Sequence, residues 1–289
     1  MNDTVGKRKA GWSEAEISGR LGISSAVFRD CSFGPRQISA IKEAGIRHIE
    51  ISRMNGPDQT FDYQNTGQVS QIVGECRKLK VKISSFHLPL HPPLPLHSED
   101  KSERQKAIDT VMGMADILME MGGTILVDHF SSDGQSRNSI EELLHRLQDV
   151  PVILAAENVE RTPIRDILSL VDEFGSDQFK MVLDIGHERD GDGVNPFTVR
   201  ESARGAVRQC RNRLYHLHLH ETFPIHENPD HRPPLHPDGI IKWEEIFWGL
   251  KQLDYKGLFL FEDGRGEEPE EWIRMTGSFP REFVTRYES

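Results

Sequence analysis

Cysteine is scarce in this chain of 289 residues: Cys31, Cys76 and Cys210 are odd in number and far apart. That excludes a disulfide framework and points to a reducing compartment. No apolar run approaches the ~18 residues that a membrane-spanning helix needs. Lys7-Arg8-Lys9 has no apolar stretch behind it, so a signal peptide is not expected and a cytoplasmic home is. There is no low-complexity tract and no Gly/Ser linker to divide domains. Basic residues are outnumbered, 35 against 46 acidic, for a net charge of −11, which opposes a nucleic-acid partner. With 36% hydrophobic and 28% charged residues, the composition is that of a globular chain with a large core and no membrane partner.

What is present is an alternation of short β-rich apolar runs with longer amphipathic ones. Strands are expected at Leu21–Val27, Ile46–Ser52, Val81–His87, Thr124–His129, Val152–Glu157, Lys180–Ile185, Arg213–His220 and Lys256–Glu262. Helices are expected at Pro35–Ala44, Gly67–Leu79, Lys101–Met121, Ser139–Gln148, Pro163–Phe174, Pro196–Cys210, Trp243–Leu253 and from Pro269 onward. Pro35 and Pro163 suit a first helical turn, and Ser139 with Glu142 fits a capping box. Eight such alternations predict a single (β/α)8 TIM barrel over 21–289, with 1–20 as a tail or cap. A doubly wound open sheet would carry a Gly-rich phosphate turn after its first strand. That strand instead runs into Ala26-Val27-Phe28-Arg29-Asp30.

In such a barrel the chemistry sits where strands end. His87, His129, Glu157, Asp184, His218 and Glu262 fall at or near the ends of strands three to eight, with His187 in the turn after strand six. Alternation along a strand places His216, His218 and His220 on the inner face and Leu217 and Leu219 on the outer one. Singly, a buried His is most often a hydrogen-bonded core residue and a strand-end Glu a solvated one. Together, Glu157, Asp184 and Glu262 in one barrel mouth need a cation or must neutralise. A divalent metal held by these three carboxylates and His218 is the economical solution. Oxygen-rich ligation with one imidazole suits Mn²⁺, and then Mg²⁺ or Co²⁺, above a structural Zn²⁺ site.

These segments resemble the xylose isomerase-like barrel superfamily, the sugar phosphate isomerase/epimerase group. The motifs are Gly45-Ile46-Arg47-His48-Ile49-Glu50, Ser85-Phe86-His87, Ala156-Glu157-Asn158, Met181 to His187, His216 to Glu221, and Tyr255 to Glu262. The resemblance implies a metal on Glu157, Asp184, His218 and Glu262. It also implies that His187 touches the substrate, that His87 and His129 line the pocket, and that Glu157 and Glu262 act as acid and base. The implied activity is isomerisation or epimerisation of a sugar, polyol or keto-acid, with a role in carbohydrate metabolism. A proton moves on carbon next to a carbonyl while the divalent ion stabilises the enolate oxygen.

Three alternatives stand beside it. A lyase or dehydratase would use the same base and expel a group at the β-carbon. An endonuclease IV-like phosphodiesterase with three metals would use His87, His129 and His187. It would also need an Asp-x-His pair, and here Asp230 and His231 are adjacent, out of register. The third is a ligand-binding barrel without catalysis, which the presence of both Glu157 and Glu262 opposes. Glu50 either reaches the pocket or pairs with Arg47 or Arg53. The Pro-rich stretch 88–97 reads as a rim segment, a wall or a lid. The Pro-rich segment 224–239 departs from the family pattern, with His236-Pro237 where a glycine is expected. Glu267 to Glu271 reads as an acidic helix start. A homo-oligomer is compatible with all of this.

Overall fold

The structure, a computed structural model, describes residues 9–29, 31–90, 92–224, 230–262 and 267–289. The first eight residues of the tail, Asp30, His91 of the first Pro-rich stretch and residues 225–229 of the second lie outside the described residues.

Eight parallel strands pair in sequence order, and the last closes on the first. They are β1 (Leu21–Ser24), β2 (His48–Ile51), β3 (Lys82–His87), β4 (Ile125–Asp128), β5 (Ile153–Glu157), β6 (Phe179–Asp184), β7 (Leu214–Leu219) and β8 (Phe259–Phe261). A short α1 (Glu14–Ser18) precedes them. Between successive strands run α2 (Pro35–Glu43), α3 (Thr66–Leu79), α4 (Lys101–Glu120), α5 (Gly134–Leu147), α6 (Ile164–Phe174), α7 (Arg200–Cys210) and α8 (Trp243–Gln252), and α9 (Pro269–Phe283) follows β8. This is a single (β/α)8 TIM barrel. Among the described residues no helix is long and apolar enough to cross a membrane.

The apolar bulk lies between the strands and the helices, where Leu217 and Leu219 pack. Inside the barrel a small cluster of Ile125, Val127, Ala155 and Val182 fills the β4–β6 side. Histidines and carboxylates occupy the mouth-side half. The register of β6 and β7 shifts between Met181 and Val182, so that Val182 pairs with His216 and Asp184 with His218.

Several expected boundaries are corrected. β1 ends at Ser24, not Val27, because the Ser24 hydroxyl caps a 3-10 turn over Ser25–Val27 by accepting from Ala26 N. α5 starts at Gly134 rather than Ser139, because Asp133 caps it, accepting from Gln135 and Ser136 N–H at 2.8 Å each. Ser139 is inside that helix and donates to the Leu96 carbonyl. Pro163 caps α6 from outside, and Pro196 opens a 3-10 turn ahead of α7. From residue 9 the N-terminal segment packs on the barrel: Trp12 is buried edge-on against Phe247 and Phe259, and its indole donates to Phe247 O at 2.8 Å. The Glu288 carboxylate accepts from the Ala10, Gly11 and Trp12 N–H groups.

Candidate metal centre

Glu157, the last residue of β5, is the hub of the barrel mouth and fully buried. Its Oε2 lies 3.1 Å from His87 Nε2, 3.2 Å from His129 Nε2 and 3.2 Å from His218 Nδ1. Its Oε1 lies 3.4 Å from His187 Nδ1. Glu262, just past β8, places Oε2 2.6 Å from the same His218 Nδ1. The ligand atoms of His87, Glu157, His218 and Glu262 all lie within 4.8 Å of one another, and all four residues are buried.

Asp184, at the end of β6, belongs to a neighbouring group with His187 and His231. Its Oδ1 accepts from the N–H groups of Gly186 (2.7 Å) and His187 (2.8 Å), and His220 Nε2 stands 3.3 Å from both carboxylate oxygens. Asn158 brackets its backbone, accepting from Asp184 N and donating to Asp184 O. The seven site residues expected from the sequence are thus gathered at one mouth, in two adjoining groups joined by Glu157 and His187. His87 stands among the cluster around Glu157, where Asp184 was expected.

Burial opposes charge on each of these groups, yet their mutual proximity overrides it. Against burial, His218, His129 and His187 hold the Glu157 carboxyl well below the usual carboxylate range. His187 and His220 do the same for Asp184. Conversely, burial disfavours the charged imidazoles, but Glu157 pushes His87 up to about 9 and Asp184 pushes His187 up to about 10. His218 lies well above its ordinary value through Glu262, Glu157 and Glu50. The site draws positive charge, from protons or from a cation.

The donor set fits a divalent ion. Among the described residues, Glu157 Oε1, Glu262 Oε2 and both ring nitrogens of His218 are buried without an aligned hydrogen-bond partner. Such close ligand atoms without hydrogen-bond alignment are ones that a divalent ion could bridge at metal–ligand distances of about 2.0–2.6 Å.

Two residues are more deeply involved than the sequence revealed. Glu50 does not pair with Arg53, which faces Asp58 at 3.5 Å. It is fully buried, accepts from Ser85 Oγ at 2.6 Å, and meets His216 Nε2 at 3.3 Å and His218 Nε2 at 3.1 Å. His231 enters the site while its neighbour Asp230 turns away to Arg189 (2.7 Å) and Thr222 (3.0 Å). The His231 ring lies parallel to that of His220, centroids 4.1 Å apart, and the His231 backbone N–H donates to His220 Nδ1 at 2.8 Å. Its left-handed backbone, φ 59°, helps separate the two side chains, and no residue spacing signals that.

A cavity of about 770 Å³ opens above these groups. His87, His129, His187 and Glu262 line its base, and Leu90, Pro93, Leu94 and Leu96 make the 88–97 stretch one of its walls. Glu221 ties together the two flanks of the second Pro-rich segment. Its carboxylate accepts from Trp243 Nε1 (2.6 Å), Ile241 N (2.8 Å) and Thr222 N (3.1 Å).

A family model described as a xylose isomerase-like TIM barrel matches residues 38–279. Among solved structures, a D-psicose 3-epimerase is similar with a TM-score of 0.69 and 14% identity, over 92% of this chain and 98% of that one. A D-allulose 3-epimerase from Methylomonas sp. gives 0.67 and 18%, over 93% and 98%. The probable 3-DHS dehydratase AsbF from Bacillus anthracis gives 0.66 and 13%, over 90% and 98%. At these identities the likeness is one of fold.

Proposed function

Because this chain belongs to the xylose isomerase-like TIM barrel family, we propose that it is a metal-dependent isomerase or epimerase of a sugar or similar polyol or keto-acid. The observation that carries this reading is the convergence of His87, Glu157, His218 and Glu262, of which His87 and Glu262 line an open cavity. In this reading Glu157, His218 and Glu262 hold a divalent ion, Mn²⁺ first among Mg²⁺, Co²⁺ and Zn²⁺. Asp184, in the adjoining group, would supply the fourth ligand. When bound, such an ion supplies a Lewis acid that draws electron density from a substrate carbonyl.

The chain's own groups do the rest. One of Glu157 and Glu262 removes the proton from the carbon next to the carbonyl, and the other returns it. His87, His129 and His187 donate to substrate hydroxyls and orient that carbon. The Leu90–Leu96 wall limits water at the reacting face.

The test is incubation of the Mn²⁺-loaded protein with a panel of ketoses in ²H₂O. Deuterium uptake at the carbon next to the carbonyl, with no loss of water, is the expected result. Uptake coupled to elimination would instead support a dehydratase, as in one of the similar structures. No uptake on any ketose would count against the epimerase reading.

A second reading has a specific observation in its favour. Asp184, His187 and His231 form a further potential ligand group, so His231 supplies part of what the adjacent Asp230-His231 pair lacked in the sequence. That favours a multi-metal, endonuclease IV-like phosphodiesterase. Elemental analysis after dialysis separates the two: one ion per chain supports the sugar reading and about three Zn²⁺ the phosphodiesterase.

A further inference from the structure

Beneath the mouth lies a buried carboxylate with no part in the reaction proposed above. Glu50, on β2, reaches across the barrel interior to His216 and His218 of β7, two strands that do not pair. Its Oε2 accepts from the Ser85 hydroxyl at 2.6 Å and faces His216 Nε2 at 3.3 Å. Its Oε1 faces His218 Nε2 at 3.1 Å. The opposite edge of that His218 ring, Nδ1, points at Glu262 (2.6 Å) and Glu157 (3.2 Å). The ring plane is held from two sides: His216 packs against it edge-on at 5.5 Å and His87 stacks at 5.8 Å.

A neutral imidazole carries one N–H, and a carboxylate only accepts. With the proton on Nδ1, the Nε2 lone pair would face Glu50 in a dry interior, and Nδ1 could bind no metal. With the proton on Nε2, that N–H lies on the Glu50 side, 3.1 Å from Oε1 though not aligned for a hydrogen bond, and the Nδ1 lone pair is presented to the mouth. We infer that Glu50 is a positioning residue for the metal centre, fixing the His218 ring as the Nε2–H tautomer so that Nδ1 is the ligating atom. A metal-binding histidine ordinarily gives its second nitrogen to a carboxylate or carbonyl, and losing that partner weakens metal binding about 10- to 100-fold. Ser85 and His216 in turn brace Glu50. The inference rests on the metal reading of this site.

The experiment has two arms. In wild-type protein with ¹⁵N-labelled histidine and bound Zn²⁺, long-range ¹H–¹⁵N NMR should show His218 metallated at Nδ1 and protonated at Nε2. Ligation through Nε2, or a proton on Nδ1, would overturn the inference without any variant. In the second arm, Mn²⁺ alone is titrated calorimetrically into wild type, Glu50→Gln, Glu50→Asp and Ser85→Ala. Glu50→Gln should raise the dissociation constant about 10- to 100-fold. Glu50→Asp should fall between it and wild type, and Ser85→Ala should show a smaller loss in the same direction. A folded Glu50→Gln within about twofold of wild type would overturn the inference and leave the metal reading intact. If Glu50→Gln does not fold, unchanged affinity in Ser85→Ala does so. Wild-type protein that takes up no Mn²⁺ would overturn the metal reading, and this inference with it.

Discussion

Glu157 has three imidazole nitrogens on one oxygen and a fourth on the other. Glu262 shares one of those imidazoles from a position nearer the surface. The two glutamates should therefore respond differently to the same change. Glu157→Gln and Glu262→Gln should each lower kcat by about 10²- to 10⁴-fold at saturating Mn²⁺, the usual weight of a proton-transfer group. Only Glu157→Gln should also lower the thermal midpoint clearly, because it strips a buried counter-charge from four histidines. Near-wild-type turnover in either variant would remove that residue from the acid/base role. Gly186 is a second point of leverage. A Cβ there would stand 1.7 Å from the His220 ring, which is what holds the far side of Asp184. Gly186→Ala should therefore displace His220, destabilise the fold and weaken Mn²⁺ binding. A variant with unchanged midpoint and affinity would show that the Asp184 turn tolerates the shift.

At the scale of elements, what was legible followed from periodicity and from strand ends. The alternation in His216-Leu217-His218-Leu219-His220 placed the histidines inward and the leucines against the helices, as found. Boundaries were less legible where a short polar side chain competes with regular structure. Ser24 ends β1 and Asp133 starts α5 through local hydrogen bonds that residue type alone does not rank above Ser139. Contacts across the barrel, Glu50 with β7 above all, leave no trace in local pattern. The segment after β7 falls in the same class: its anchor, Glu221, reads as one more acid in sequence. In the structure it satisfies two backbone N–H groups and the Trp243 indole, and Gly239 packs so closely that a Cβ would lie 2.1 Å from its side chain. Glu221→Ala leaves three buried donors unsatisfied at about 1–3 kcal/mol each, so it should destabilise by about 3 kcal/mol or more in urea unfolding. Glu221→Gln, which keeps an acceptor, should lose less. Equal losses in the two variants would mean that packing, not hydrogen bonding, holds this segment.

At the scale of the molecule, the barrel supplies a stable frame from apolar packing and gathers Glu157, Asp184, Glu262 and their histidine partners at one end. That end should dominate how stability depends on pH and on metal. In the metal-free protein, His87 and His187 titrate at about 9 and about 10 against an ordinary 6.5, so the folded state holds protons that the unfolded chain releases. Their contribution is complete below pH 6.5 and is lost as pH rises through 9 to 10. Glu157 and Asp184 are depressed below 4.5 and 3.8, so theirs is complete above those values and is lost as pH falls. Metal-free stability should peak in the weakly acidic range between these limbs. A divalent ion replaces the protons, so its binding should strengthen as pH rises. At 100 times its dissociation constant the ion adds about 2.7 kcal/mol. In a chain this large that is worth roughly 5–10 °C, at about 2–4 °C per kcal/mol. Calorimetric midpoints with EDTA and with Mn²⁺, at pH 6 and pH 8, should differ more at pH 8. A gap that is absent, or that narrows as pH rises, would mean that protons rather than a metal balance the charge on Glu157, Asp184 and Glu262.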